Sequence, residues 1–332
     1  MWAAFSFGAR QATDKEEATT RLCSRDRYGV VQYNRIWGET MDARAILMGV
    51  AFAFMWSSAF TSARVIVASA PPITTLAIRF LISGLLAVMI ARALGQTWRL
   101  TPNQARATII FGICQNALYL GLNFVAMQTV EASLAAIIAS TLPLLVALAG
   151  WLFMREKLGA VPTFGLMMGF AGVVIIMWGR AGNGTADPLG VLLCIAGVLA
   201  LTIATLSVRN ATAGGNMLMI VGLQMLVGAA ALAVIGGATE TWEVTMSWQL
   251  VAAFVYTTLV PGLAATLVWF MLVNRIGPVK SATFHFLNPI FGVAIAALIL
   301  GETLSLTDFI GVAIVTIGIL FVQISKTAKT SS

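Results

Sequence analysis

The chain has 332 residues, of which 59% are Ala, Val, Ile, Leu, Met, Phe, Trp, Tyr or Cys and only 10% are charged. A soluble domain contains about 45–50% apolar and about 25% charged residues, so this composition excludes a water-soluble globular protein. The net charge of +7 would suit a protein that binds nucleic acid, but the bases stand singly between long apolar runs. The composition therefore predicts a lipid bilayer, and no nucleic acid, as the surroundings of the chain.

Residues 1–44 form a polar segment before the first apolar run. The segment carries six of the 13 acidic and seven of the 20 basic residues. It lacks the apolar stretch of about 7–15 residues that a secretory signal needs. Two interpretations stand: a disordered cytoplasmic tail, or a start placed too early, with Met41 as the true first residue. Neither gives the segment a functional role.

Ten apolar runs follow one another along the rest of the chain. Each approaches the roughly 20 residues that a membrane-spanning helix needs, and proline, glycine or asparagine marks most of the joints. The runs are Ala45–Ala63, Pro72–Ala91, Ala107–Met127, Ala132–Phe153, Ala160–Gly179, Pro188–Val208, Asn216–Gly237, Trp248–Val273, Val279–Leu300 and Leu306–Ile324. The sequence predicts an all-α membrane protein with ten transmembrane helices.

Lysine and arginine are distributed unequally between the two sets of loops. With the N-terminus inside, the outer loops hold only Arg64 and Arg180, and Arg79 lies within a span. The inner loops hold Arg92, Arg99, Arg106, Arg155, Lys157, Arg209, Arg275, Lys280, Lys326 and Lys329. Because cytoplasmic loops retain Lys and Arg, we expect a multi-pass protein of the cytoplasmic (inner) membrane with both termini in the cytoplasm.

The chain contains an internal repeat. Displaced by 146 residues without a gap, Phe124 falls on Phe270, Pro143 on Pro289 and Glu156 on Glu302. The repeats are residues 45–180 and 188–325, each with five spans. Because five is odd, the second repeat must cross the membrane in the opposite sense to the first. Inverted repeats are typical of secondary transporters, whose substrate site lies near the midplane between the halves.

These motifs resemble those of a known family. The first half has Pro143 within the fourth span and the acid of Glu156-Lys157-Leu158 after its end, and the second half repeats this pattern. The matching residues are Trp56, the pair Arg79-Phe80, Pro143, Glu156, Pro289 and Glu302. Over about Ala45–Ile324 the chain resembles the ten-helix EamA-type branch of the drug/metabolite transporter superfamily. The resemblance implies two inverted five-helix bundles around a central cavity, and export or exchange of small metabolites.

Arg79 is the candidate for recognising an anion. It lies about 10 Å inside the second span at 1.5 Å per residue, where an unpaired guanidinium costs several kcal/mol. One interpretation is a contact with a carboxylate or phosphate in the cavity, because the planar guanidinium suits both anions. The other is a structural arginine that bonds carbonyls of a neighbouring helix or extends toward the surface. The second half has no clear equivalent of Arg79.

Other polar residues within the spans are candidates for the substrate site. Asn116, Tyr119 and Asn123 share one face of the third span, and His285 and Asn288 share one face of the ninth. We expect hydrogen bonds to substrate from the three asparagines and Tyr119, and stacking or shape selection from Trp56. The alternative is that such residues hold helices together. His285, the only histidine, is a candidate for proton coupling or is simply hydrogen-bonded.

Glu156 and Glu302 are predicted to be structural. Intramembrane carboxylates can couple protons, but these two lie at helix ends. We expect each to order the turn into the next helix, where unpaired backbone N–H groups favour a negative charge. Pro143 and Pro289 are predicted to interrupt their helices, since proline removes a backbone donor.

The absence of several sequence motifs limits the classes of protein to which this chain can belong. The sequence has no GxxxxGK[ST] loop for ATP and no paired catalytic groups, so we predict no enzyme, no cofactor and no metal. No acid lies at a span centre, where a lipophilic cation would need one. The prediction is a secondary active transporter that exports or exchanges a small polar metabolite, such as an amino acid or derivative, by alternating access. Protons are the candidate coupling ion, and a multidrug efflux carrier and a channel are the alternatives.

Overall fold

The computed structural model describes residues 43–154, 159–182, 187–208, 216–276, 281–282 and 284–330, and its regular elements are helices. Within these residues nine helices are long and apolar enough to cross a membrane, and Phe284–Leu300 is a shorter apolar helix in the place of the ninth predicted span. In chain order they are α1 (Ala43–Val67), α2 (Pro72–Ala93), α3 (Pro102–Ala126), α4 (Ala132–Ser140 and Leu142–Met154), α5 (Ala160–Gly182), α6 (Pro188–Val208), α7 (Met217–Thr239), α8 (Trp248–Thr257, Thr258–Ala264 and Ala265–Ile276), α9 (Phe284–Leu300) and α10 (Leu306–Thr330). The predicted helical membrane fold is confirmed, while Glu156 and residues 1–42 lie outside the described residues.

Helix starts follow local sequence signals. Prolines occupy the first turns of α2 and α6, where a missing N–H costs nothing. Thr101 and Gln104 form a reciprocal capping box that begins α3 at Pro102. The predicted third span began at Ala107, so hydropathy alone placed this start too late because the first turn is polar.

Corresponding helices of the two halves pack against each other, α2 along α7 and α5 along α10. Glycines permit the close approach of α5 and α10. A Cβ atom on Gly165 would lie 2.7 Å from the carbonyl oxygen of Gly318, and one on Gly172 would lie 2.9 Å from that of Gly311. Because the later residue of α5 meets the earlier residue of α10, the two helices are antiparallel. This pairing is consistent with the predicted inverted repeat.

The ends of α1, α3, α5, α7 and α9 lie together at one end of the bundle, which we call the acidic face. Arg64 at the end of α1 donates a hydrogen bond to the carbonyl oxygen of Met127 at the end of α3. Thr129, just after α3, donates to Asp187 before α6 at 2.7 Å. The acids of this face are Glu131, Asp187, Glu240, Glu243, Glu302 and Asp308. The opposite basic face carries Arg92, Arg99, Arg106 and Arg275, the distribution on which the predicted orientation rests.

Asp187 joins two of the loops at the acidic face. The Thr129 hydroxyl and the Gly190 N–H group donate hydrogen bonds to its carboxylate and lower its pKa. A carboxyl whose pKa is lower in the folded protein contributes stability above its unfolded pKa, about 3.9. We expect that contribution to be lost as the pH falls from about 4 through the lowered folded pKa. Thermal unfolding of Thr129→Val at pH 3 and pH 7 checks this, since the variant should lose more stability at pH 7 than at pH 3.

Glutamates cap two helices at the acidic face from distant parts of the chain. The Glu302 carboxylate accepts hydrogen bonds from the N–H groups of Ala132 at 2.7 Å and Ser133 at 3.0 Å, at the start of α4. The Glu240 carboxylate does the same for Ile73 and Thr74 at the start of α2. The structural role predicted for Glu302 names the wrong helix, because its partners belong to α4 and not to the adjacent α10.

Glu302→Ala is expected to destabilise the protein by about 1–2 kcal/mol. The substitution leaves two N–H groups at the start of α4 without an acceptor and removes a negative charge from that helix terminus. Unfolding in mixed micelles as the fraction of denaturing detergent rises measures the change. Glu243→Ala, on an exposed residue of the same face, is the matched control and should unfold like wild type. Equal stability of the two variants would contradict the capping role.

Two helices are interrupted near the predicted prolines. α4 breaks at Thr141, just before Pro143, and α9 changes from a 3-10 turn to an α-helix at Asn288, with Pro289 in the first α-helical turn. Both interruptions agree with the inability of proline to donate a backbone hydrogen bond.

Candidate functional site

Helices α3 and α8 each contain a π-helical segment. The segments are Gly112–Tyr119 and Thr258–Ala264, and their first residues are 146 positions apart, the spacing of the sequence repeat. Pro261 lies inside the second segment. π-Helical turns are rare and are frequent at functional sites, so the segments mark two corresponding places in the halves where the helix is widened.

Both segments line one cavity between the halves. Its wall comes from α1, α2 and α3 of the first half and α7 and α8 of the second, and its volume is about 70 Å³. By the measure on which one water needs about 10–15 Å³, this conformation has room for a few water molecules or a very small solute. Both halves contribute to the cavity wall, as they do to the substrate sites of inverted-repeat transporters.

Five of the six predicted binding residues line this cavity. They are Trp56, Arg79, Asn116, Tyr119 and Asn123. Asn288 is absent from the cavity wall. The structure therefore brings the candidates of the first three spans together and leaves the ninth-span candidate elsewhere, while their roles in binding stay predictions.

Arg79 is the only charged side chain among the residues that line the cavity. It is 6% exposed, and its Nε atom has no hydrogen-bond partner. Its guanidinium carbon lies 5.0 Å from the centre of the Phe80 ring, a cation–π contact that offsets part of the cost of burial. Within the described residues no acid and no carbonyl group pairs with Arg79. A buried cation without a protein partner favours an anion supplied from outside.

The asparagines of α3 serve two different purposes. Asn116 donates to the carbonyl oxygen of Gln224 at 2.9 Å and so ties α3 to α7, the helix-joining alternative raised for such residues. Asn123 donates to the carbonyl oxygen of Tyr119 at 2.8 Å, but its own oxygen, Oδ1, has no partner. Asn123 is therefore the better placed of the two to accept a hydrogen bond from a solute.

His285 and Asn288 contact each other. The Asn288 amide nitrogen lies 3.0 Å from His285 Nδ1. The imidazole packs against the rings of Phe52 and Trp269, with ring centres 5.4 and 5.3 Å away, and these two rings contact each other at 4.7 Å. An amide N–H donor requires that Nδ1 be unprotonated, which leaves Nε2 to carry the proton of the neutral ring. Trp56 is next to Phe52, at 5.8 Å between ring centres, so an aromatic series leads from the cavity wall to His285. Among the described residues no group of His, Cys, Asp or Glu could hold a metal ion.

Sequence reasoning missed two residues here, Ser83 and Met225. Ser83 lies one helical turn after Arg79 on α2, next to the cavity-lining residues and not among them, and Gly262 faces both Arg79 and Ser83 from α8. Met225 lines the cavity at the position that corresponds to Arg79 in the second half. The spacing of four residues from Arg79 could have found Ser83, and the repeat could have found Met225, whereas the contact with Gly262 is visible only in three dimensions.

The model of the EamA-like transporter family matches this chain twice, over residues 43–178 and 188–324. The chain belongs to that family. It is 24% identical over 297 residues to the transporter YvbV of Bacillus subtilis, covering 87% of this chain and 94% of YvbV. It is 26% identical over 287 residues to the inner membrane transporter YedA of Escherichia coli K12, covering 84% of this chain and 91% of YedA.

More distant relatives extend the likeness. A WAT1-related chloroplastic protein of Arabidopsis thaliana is 23% identical over 279 residues, which cover 81% of this chain and 67% of that protein. One protein crystal structure, 21% identical, superposes with a TM-score of 0.63 over 87% of this chain and 99% of that one, which shows a shared fold. This EamA-like chain is thus a multi-pass membrane transporter, as its resemblance implied.

Proposed function

We propose that this EamA-like transporter exports or exchanges a small polar metabolite, such as an amino acid or derivative, across the cytoplasmic membrane by alternating access. Both termini face the cytoplasm in this proposal, so the acidic face is external. The basic residues at the opposite end support this orientation, because Lys and Arg are retained inside.

The observation that carries the proposal is the cavity between the halves. It lies within the bundle, both halves contribute to its wall, and its single charged side chain is Arg79, for which the described residues provide no hydrogen-bond acceptor. Rocking one half against the other would expose such a site to each membrane face in turn.

Three kinds of contact are assigned to the cavity. Arg79 binds a carboxylate, because a guanidinium pairs with carboxylate oxygens through two parallel hydrogen bonds. The unpaired Asn123 oxygen accepts a donor of the substrate, and Trp56 and Tyr119 provide flat surfaces that limit its shape. The absence of an acid from the described cavity wall disfavours the alternative of a carrier for cationic drugs.

Counterflow in proteoliposomes tests the proposal. Vesicles containing the purified protein are loaded with unlabelled amino acids, small organic acids or nucleosides, and uptake of labelled solute is followed. We expect transient accumulation of a carboxylated solute that saturates with concentration. A carrier gives counterflow because its binding site takes unlabelled solute out of the vesicle and returns with labelled solute. A channel conducts solute without this coupled exchange. Flux without counterflow or saturation would favour the channel and contradict the proposal.

We assign proton coupling to His285, so His285→Gln is expected to flatten the pH dependence of counterflow. Histidine can bind and release a proton, whereas glutamine retains polarity without titrating. Rates at several pH values, with equal internal and external pH, measure the effect. Wild-type and variant profiles of the same shape would remove His285 from the mechanism.

A further inference from the structure

Gly262 leaves an unfilled position between two polar groups of α2. A Cβ atom on Gly262 would lie 3.2 Å from the carbonyl oxygen of Thr257 on its own helix, 3.5 Å from Arg79 Nη2 and 3.6 Å from Ser83 Oγ. Ser83 is 1% exposed, and neither its hydroxyl nor Arg79 Nε has a hydrogen-bond partner. The π-helical segment presents Gly262 here, and Thr266 donates to the Gly262 carbonyl oxygen at 2.9 Å, which helps to hold the segment in place.

We propose that Arg79, Ser83 and Gly262 form a subsite for one carboxylate group of the transported solute. Arg79 Nη2 and the Ser83 hydroxyl donate hydrogen bonds to the carboxylate oxygens, and the missing side chain of Gly262 provides the space. This proposal rests on the proposed transport function and adds two residues that determine specificity, Ser83 and Gly262.

Charge and size both favour a carboxylate over a phosphate at this subsite. A carboxylate carries one negative charge, which Arg79 balances, whereas a phosphate monoester carries about −1.5 to −2 at pH 7. A second charge would be buried without a partner, because no other cation lines the described cavity wall. The space next to Gly262 is also narrow, since a Cβ there would lie 3.2 Å from the carbonyl oxygen of Thr257. A flat carboxylate edge suits this space better than a tetrahedral phosphate.

The symmetry-related place in the protein lacks this arrangement. The positions that correspond to Arg79 and Gly262 are Met225 and Asn116, displaced by 146 residues. Both line the cavity, but the Asn116 side chain fills its position and donates to Gln224. The two pairs have therefore diverged: one joins Arg79 of the first half to Gly262 of the second, and the other joins Met225 of the second half to Asn116 of the first. Only one carboxylate subsite results.

Equilibrium binding to the purified full-length protein tests the subsite. The probes are lactate and benzoate, their neutral amides lactamide and benzamide, and inorganic phosphate. We expect at least one carboxylate to bind at least tenfold more tightly than its amide and than phosphate. Ser83→Ala should weaken that carboxylate by about tenfold, the loss of a charge-assisted hydrogen bond, and should affect the amide less. Gly262→Ala should weaken both probes, because its methyl group fills the space that they share. Gly237→Ala, a glycine with open space around it, is the control and should bind like wild type.

Several results would overturn the subsite: equal affinity for carboxylate and amide, tightest binding of phosphate, no binding of either carboxylate, or unchanged affinity in both Gly262→Ala and Ser83→Ala. Counterflow separates this proposal from the proposed function. The expected binding pattern without counterflow would contradict transport and leave the subsite standing. Counterflow that is unchanged by both substitutions would contradict the subsite and leave the transport function standing.

Discussion

Arg79→Met is expected to reduce counterflow of carboxylated solutes at least 100-fold while making the protein more stable. Losing one partner of a buried charge pair costs about 3–5 kcal/mol, which corresponds to more than 100-fold in affinity. The stability gain arises because the cavity wall buries a guanidinium for which the described part of the chain provides no hydrogen-bond acceptor. Methionine is the matched replacement, since Met225 lines the cavity at the corresponding position of the second half. We expect the free energy of unfolding to rise by about 1–3 kcal/mol.

Arg79→Lys is the companion variant. It retains the charge but loses the planar pair of donors that fits a carboxylate, so we expect intermediate transport and little gain in stability. Counterflow and unfolding are measured on the same preparations, with insertion checked by size-exclusion chromatography. Unchanged transport in Arg79→Met would show that Arg79 is a packing residue. Lower stability in that variant would show that it bonds within the protein.

Arg180→Met is expected to destabilise the protein by about 3–5 kcal/mol. Arg180 is 4% exposed and forms ion pairs with Glu131 and with Asp308, the latter at 3.0 Å, and donates to Ser133 at 3.0 Å. The cluster joins α5 to the starts of α4 and α10 at the acidic face. Removing the arginine leaves two carboxylates without the cation that they share, one of them buried, and an uncompensated buried charge is costly.

The double variant Arg180→Met/Asp308→Asn distinguishes charge from packing. Asparagine keeps the oxygen that accepts hydrogen bonds from Ser305, so the start of α10 stays capped while the buried charge disappears. We expect the double variant to recover much of the lost stability, as coupled residues do in a double-mutant cycle. Glu243→Gln, on an exposed acid of the same face, should change nothing. Losses that simply add would contradict the ionic account.

The helices could be predicted from sequence because lipid demands long apolar runs whose backbone groups are satisfied internally. Helices α2, α4, α5, α6, α8 and α10 begin at the predicted residues. The candidates of the first three spans also meet in the structure, because intramembrane polarity and helical spacing are local properties.

Other features depend on contacts between distant residues and left no local signal. The π-helical segment of α3 contains no proline, so its position could not be predicted from the sequence. Glu302 was expected to act on the adjacent helix, but the folded bundle brings it to the start of α4. The Arg180 cluster likewise joins residues up to 177 positions apart, between Glu131 and Asp308. Only the spacing of Ser305 and Asp308, a helix-capping pattern, was readable in the sequence.

The most direct test of the account is whether the cavity is reached from both membrane faces. Gln115 lines the cavity at intermediate exposure, so Gln115→Cys in a background without Cys23, Cys114 and Cys194 gives one reactive thiol there. Membrane-impermeant thiol reagents are applied from either side of oriented vesicles, with and without a carboxylated solute that shows counterflow. The account predicts labelling from both sides, protection by the solute, and loss of counterflow after labelling. Labelling from one side only, or counterflow that survives labelling, would contradict transport through this cavity.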